Sequence, residues 1–173
     1  MNISKINIES VRKKETTNVI DFDYVIEDDA KSEYAVLLNA EHIEFIKISG
    51  SIAQKNGFAC IEYEIDAEFD VVCARCNNDA PQNLRITGEK YLADKSEDKD
   101  DNDDYYTLEN PSVIDLQDFI TEFLSLEVPL RYLCDDDCMG LCQNCGHDLN
   151  TGECDCPKTP KNPAFKVLDD FFD

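Results

Sequence analysis

Residues 59–76 read ACIEYEIDAEFDVVCARC, and this stretch decides the fold. From Ala59 to Val71 every second residue is apolar, and the residues between them are acidic after Cys60. Because strand side chains alternate between the two faces of a sheet, this pattern predicts a long strand with one buried face and one acidic face. A cysteine pair, Cys73 and Cys76, follows the strand directly.

The sequence before and after this strand predicts a sheet around it. Asn56-Gly57 is a strong signal for a hairpin turn, so the preceding strand is expected at 43–52. Alternating apolar residues at 20–26 and the stretch 83–92 predict two further strands. We therefore expect residues 1–92 to form a β-rich region, either an antiparallel sheet or a partial barrel.

An acidic stretch and a helix are expected next. Residues 94–104, DKSEDKDDNDD, carry no apolar side chain that could offset the entropy of ordering, so 93–111 is predicted to be an acidic flexible loop. A helix packed on the sheet is expected within 112–133, with Asp115 as its N-cap and Pro129 as its stop. Its apolar stripe comprises Leu116, Phe119, Ile120, Phe123 and Leu124. The expected fold class is α+β, with one main helix and a C-terminal cysteine-rich module.

That module is expected to span 134–173 and to end in a short helix. Asn162 suits the N-cap of this helix and Pro163 its first turn. The apolar face of the helix would consist of Ala164, Phe165, Leu168, Phe171 and Phe172.

Eight of the nine cysteines lie in four close pairs, which is the pattern of two tetrahedral zinc sites. The interpretation that we favour places Cys73, Cys76, Cys134 and Cys138 in one site, and Cys142, Cys145, Cys154 and Cys156 in the other. A grouping of Cys134 and Cys138 with Cys142 and Cys145 remains open, as does a single site. With four thiolates around each Zn²⁺ no position is left for water, so the sites should be structural and not catalytic.

Other residues with chemical potential carry weaker signals. His147 lies in the loop that follows Cys145 and could replace a thiol as a metal ligand, whereas His42 is expected at the surface. Cys60 is expected to be a semi-exposed strand thiol. The sequence shows no activated nucleophile with an adjacent base and no phosphate-binding glycine loop, so we expect no enzyme and no small-molecule substrate.

Composition limits the location and the partners. Among 173 residues, 38 are acidic and 16 basic, for a formal net charge of −22. Such a surface repels phosphate on average, so a basic protein partner fits better than broad RNA binding. No secretory signal or membrane-length apolar run is evident, and the cysteines argue for a reducing compartment, so a cytoplasmic protein is expected.

Four motifs, in this order along the chain, resemble the YceD family. They are Cys-x-Arg-Cys at 73–76, Leu-x-x-Pro at 126–129, the run CMGLCxxCGxxLN at 138–150, and NPAFxVL at 162–168. The C-terminal run is specific, whereas the β-rich first half matches the family only loosely. The resemblance implies a role in accumulation of the large-subunit (23S) ribosomal RNA, hence in large-subunit assembly.

The resemblance also bears on partners. The family's gene commonly lies beside that of a small zinc-bearing ribosomal protein, which implies a basic ribosomal protein or a large-subunit precursor as the partner. Some members lack most of the C-terminal cysteines, which places the shared function elsewhere, on the sheet. Three alternatives remain open: direct RNA contact near Arg75, Arg85 and Arg131, a zinc-ribbon adaptor of another machine, and a thiol redox protein.

Overall fold

The computed structural model describes residues 4–13, 18–94, 103–129 and 131–157. The elements, in chain order, are β1 (Lys5–Asn7), α1 (Glu9–Arg12), β2 (Ile20–Val25), α2 (Lys31–Leu38), β3 (His42–Lys55), β4 (Phe58–Val72), β5 (Asp79–Asp94), β6 (Tyr105–Leu108), β7 (Val113–Asp115) and α3 (Leu116–Glu127). Among the described helices, none has the length and apolar character needed to cross a membrane.

The long β3–β4 hairpin is the centre of the fold. Its turn is formed by Asn56 and Gly57, both with positive φ, at 55° and 89°. In β4 the apolar residues predicted to face inwards are buried, and Ile61, Ile65 and Ala67 are fully inaccessible to solvent. The alternation in residues 59–71 therefore produces the predicted strand, with its core-facing side and its acidic side.

Five strands form one curled sheet in the order β2-β3-β4-β5-β6. The first four are antiparallel neighbours, as expected, but β6 joins β5 in parallel. A separate antiparallel pair, β1 with β7, carries the chain into α3. Within the described residues no pairing joins β2 to β6, so the sheet is curled but open. The expected α+β class is confirmed.

Helix α3 covers the inner face of the sheet. Asp115 caps it, with Oδ1 accepting the N–H of Gln117 at 3.0 Å, and all five stripe residues are buried. The Phe119 ring lies 4.8 Å from Tyr63 of β4, measured between centroids. Gly88 of β5 leaves room for that tyrosine, because a Cβ there would lie 2.7 Å from the Tyr63 Oη. The helix therefore packs on the sheet as predicted.

Several features depart from the sequence expectations. Helix α2, strand β6 and the β1–β7 pair were not anticipated. The interval 93–111, expected to be a loop, contains the end of β5 and the whole of β6; residues 95–102 within it lie outside the described residues, as does the expected helix after Asn162. Cys60 is buried rather than semi-exposed, with 3% of its surface accessible.

The packing of α3 can be tested with two leucines of the same helix. Leu124 is fully buried, whereas Leu126 is 72% exposed. We expect Leu124→Ala to lower the free energy of unfolding by about 2–5 kcal/mol, because it leaves a cavity in the core. Leu126→Ala should change it by no more than about 0.5 kcal/mol. Urea denaturation of both variants measures the difference, and equal effects would contradict the packing described.

Candidate metal centres

The first centre joins two distant parts of the chain. Cys73 and Cys76 follow β4 directly, whereas Cys134 and Cys138 follow α3. The four Sγ atoms all lie within 4.8 Å of one another, with 3.7 Å between Cys73 and Cys138 and 3.5 Å between Cys76 and Cys134. Three of the four cysteines are buried and Cys134 is exposed. The sulfurs thus form a compact group at the end of the sheet.

A tight turn after β4 positions the first cysteine pair. The Cys73 N–H donates to the carbonyl of Asn78 at 2.8 Å, and the Cys73 carbonyl accepts from the N–H of Asn77 at 3.0 Å. Asn77 adopts a φ of 61°, a conformation that asparagine tolerates better than most residues. The turn is joined to the segment after α3, because the Ala74 N–H donates to the Tyr132 carbonyl at 2.9 Å.

The second pair of this centre is set by the acidic triplet at 135–137. The Asp135 carboxylate accepts the N–H of Asp137 at 2.9 Å, and its carbonyl accepts the N–H of Cys138 at 3.0 Å. Asp135 therefore shapes the turn that carries Cys138.

The second centre is local in sequence and begins with the same type of Cys-x-x-Cys turn, which we call a knuckle: residues 73–76 in the first centre and 142–145 in the second. Its cysteines are Cys142, Cys145, Cys154 and Cys156, and their Sγ atoms also lie within 4.8 Å of one another. The Asn144 N–H points to the Cys142 sulfur at 3.4 Å, as the Arg75 N–H points to the Cys73 sulfur at 3.4 Å. Gly146, with a φ of 75°, donates its N–H to the Cys142 carbonyl at 2.8 Å and closes the turn.

These N–H groups favour a thiolate at the first cysteine of each knuckle. Burial raises the pKa of Cys73, but hydrogen bonds from backbone N–H groups, chiefly that of Arg75, outweigh it and lower the pKa to about 6. The N–H of Asn144 is the main cause that lowers the pKa of Cys142 to about 6. In contrast, neighbouring sulfurs raise the pKa values of Cys134 and Cys156 to about 12. Each group thus holds one thiol with a lowered pKa, Cys73 or Cys142, and one with a strongly raised pKa, Cys134 or Cys156.

Both groups fit a tetrahedral metal ion. Sulfurs placed about 2.3 Å from a zinc ion lie about 3.8 Å from each other, close to the 3.5 and 3.7 Å separations in the first centre. All nine cysteines are free thiols without disulfide bonds. Each group could therefore hold one metal ion, with four sulfurs and no position left open for substrate.

The structure brings together the two sets of four cysteines that the favoured interpretation grouped, and not the alternative set that mixed the pairs. His147 is not part of either group; its carbonyl accepts the Cys142 N–H at 2.8 Å. Cys60 lies outside both groups, and burial raises its pKa to about 11. Sequence reasoning missed Asn150, whose amide Nδ2 lies 3.5 Å from the Cys138 sulfur; no local pattern in the sequence indicates this contact.

Comparison with known proteins points to one family. The family model described as "Large ribosomal RNA subunit accumulation protein YceD" matches residues 61–172. A curated protein of Arabidopsis thaliana, "Large ribosomal RNA subunit accumulation protein YCED homolog 1, chloroplastic", is 34% identical to this chain over 55 residues. That alignment covers 32% of this chain and 17% of the plant protein, so the chain matches only a small part of that relative's length. No solved structure matches the chain.

The thiol pKa values can be tested on metal-free protein. Cys142 and Cys156 are similarly half-buried, so accessibility does not separate them. Because the thiolate is the nucleophile, the first alkylation by iodoacetamide at pH 7 should fall on Cys142, with its pKa of about 6, and not on Cys156, with its pKa of about 12. The rate at Cys142 should fall as the pH drops through about 6. Peptide mapping after brief labelling gives the site, and equal labelling of both cysteines would contradict the prediction.

Proposed function

Because this chain belongs to the YceD family, whose model matches residues 61–172, we propose that it supports accumulation of the large-subunit (23S) ribosomal RNA. It does so as a ribosome biogenesis factor and not as an enzyme. The family match over most of the chain is the observation that carries this proposal. The sites described above agree with it, since the cysteine groups leave no open position for a substrate.

A basic partner is supported by one side of the sheet, which we call the acidic face. It is the outward side of β2 to β5, where directly paired residues share a face. Lys47, Lys55 and Arg85 also lie there, but they are outnumbered by the acidic residues Asp21, Asp23, Glu62, Glu64, Asp66, Glu68 and Glu89. The excess of negative charge would attract a basic protein and repel nucleic acid.

The centre of the acidic face forms an open, shallow trough. Small residues of β3, Ser49 and Ser51, lie between Asp21 on one side and Glu62 and Glu64 on the other. A lysine or arginine side chain entering this trough would meet carboxylates from two strands. We therefore propose this surface as the contact for a basic ribosomal protein or a large-subunit precursor.

Two of the three arginines considered for direct RNA contact already donate hydrogen bonds within the protein. The Arg85 Nε donates to Asp66 at 2.7 Å. The Arg75 guanidinium donates to the carbonyl of Cys138 at 2.8 Å. Both cations are thus engaged within the protein, which leaves a protein partner as the preferred proposal.

We assign Zn²⁺ to both cysteine groups, because thiolate ligands in a compact tetrahedral set favour this ion over hard cations. When bound, the ion supplies no reaction and only holds four sulfurs together. In the first centre those sulfurs come from residues 58 and 65 positions apart, so zinc would fix the tertiary arrangement of the sheet end and the segment after α3.

Metal content is the first test. Protein purified without chelators should contain roughly two zinc ions per chain. Cys76→Ser should lose about one of them, because one ligand of the first centre is removed. Cys60→Ser is the matched control: it removes a buried thiol outside both groups and should retain both ions. Elemental analysis measures the ratio, and zinc-free protein with reversible disulfides would instead favour a thiol redox protein.

The acidic face gives the second test, on the partner. Asp21→Lys with Glu62→Lys reverses two exposed charges that line the trough. Binding to large-subunit precursors should weaken by roughly tenfold or more, and 23S RNA should fall in cells that carry only this variant. Asp29→Lys with Glu33→Lys changes the net charge equally at exposed positions outside the sheet and should preserve both.

Cofractionation on gradients and RNA quantification give the two readouts. Equal binding by both double variants would contradict the assignment of the acidic face. Association with polymerase in place of ribosomal proteins would favour the adaptor alternative.

A further inference from the structure

The two cysteine groups are close in sequence, and hydrogen bonds connect them in addition to the covalent chain. Only Met139, Gly140 and Leu141 separate Cys138 of the first centre from Cys142 of the second. The Leu141 N–H donates to the Arg75 carbonyl at 3.1 Å, so the linker is bound to the knuckle of the first centre. The Gly140 carbonyl accepts the Leu149 N–H at 2.9 Å, so the same linker is bound to the loop of the second.

Asn150 connects the two centres most directly. It lies in the loop of the second centre, between Cys145 and Cys154. Its Nδ2 points to the Cys138 sulfur of the first centre at 3.5 Å, and its Oδ1 accepts the Met139 N–H at 2.7 Å. A residue positioned by one group thus donates to a ligand atom of the other.

Two further contacts fix the same arrangement. Asp148, which lies two residues before Asn150 and accepts from its Nδ2 at 2.7 Å, also accepts from the Asn78 side chain at 2.8 Å. Asn78 in turn closes the turn that carries Cys73. Gly140 passes so close to Arg75 that an added Cβ would lie 2.9 Å from the Arg75 carbonyl oxygen. The loops of both centres therefore share one hydrogen-bonded unit.

We infer that the two centres bind metal cooperatively and that Asn150 is the positioning residue that couples them. This inference rests on the metal binding proposed above. A metal in the second centre fixes the loop that presents the Asn150 amide, and the amide stabilises the negative charge on Cys138 in the first centre. By thermodynamic linkage, a metal in the first centre raises the affinity of the second by the same factor.

The second centre should load first. Its four ligands lie within residues 142–156, so little chain entropy is lost when they close around an ion. The first centre needs segments that are 58 and 65 residues apart to meet, and a preformed second loop reduces that cost. Through Asn150, metal binding in the second centre thus favours metal binding in the first.

The coupling factor is measurable by competition with a chromophoric zinc chelator. The double variant Cys76→Ser with Cys134→Ser disables the first centre and so gives the zinc affinity of the second centre alone. The double variant Cys154→Ser with Cys156→Ser disables the second centre and gives the zinc affinity of the first alone. The overall constant for loading both centres comes from the intact protein. The ratio of this constant to the product of the two single affinities is the coupling factor, which we expect to be roughly tenfold or more.

Asn150→Ala should lower the overall constant by roughly ten- to a hundredfold and bring the coupling factor close to one. Thr151→Ala is the matched control, since it removes a hydrogen bond of the same turn, to the Asp148 carbonyl at 2.7 Å, and no contact with Cys138 is described for this side chain. It should leave the coupling factor unchanged. Circular dichroism checks that each variant keeps its sheet.

Each part of the inference would be contradicted by a different experimental result. Wild-type protein that binds no zinc would overturn the proposed metal sites and the coupling with them. Two zinc ions with a coupling factor of one would overturn the coupling alone. Equal overall constants for Asn150→Ala and Thr151→Ala would overturn the role of Asn150. Both of these variants keep all eight ligand cysteines, so this comparison does not depend on the serine variants.

Discussion

The convergence of Cys73 and Cys76 with Cys134 and Cys138 is the constraint on which the rest of the C-terminal half depends. Three of these four sulfurs are buried, and all four lie close enough together to share one metal ion, for which a tetrahedral set of four thiolates is the geometry that zinc prefers. Hydrogen bonding and ring packing act at the same place: the Ala74 N–H meets the Tyr132 carbonyl, and the Tyr132 ring lies 5.7 Å from that of Phe69. Fixing residues 131–157 at the sheet end in turn places the second cysteine group.

The two faces of the sheet differ in chemical character, one apolar and one acidic. In β4 one set of alternate residues fills the core under α3, while the other set supplies much of the acidic face. A change that shifted the register by a single residue would exchange the two faces and destroy both properties. The same strands therefore form both the core and the acidic face, and the charges of the acidic face lie away from the apolar side chains of the core.

The sequence predicted the features that depend on local periodicity or on a short motif. The alternation in β4, the turn at Asn56 and the stripe of α3 each carry their signal within a few residues. Helix α2 was missed because its apolar residues form no strong stripe and no side chain caps its start. Strand β6 was missed because its four residues, Tyr105–Leu108, are ordered by parallel pairing with the end of β5, which a local pattern does not reveal. The reach of Asn150 to a sulfur is likewise set by tertiary geometry, and no spacing rule reveals it.

Hydrogen–deuterium exchange of the zinc-loaded protein, before and after complete metal removal, tests the central constraint most directly. If metal in the first centre holds the C-terminal half on the sheet, the amides of residues 131–157 should lose protection on metal removal. Those of β3 and β4, which are held by their own ladder and by α3, should keep theirs. Unchanged protection across 131–157 after the metal is gone would contradict the account.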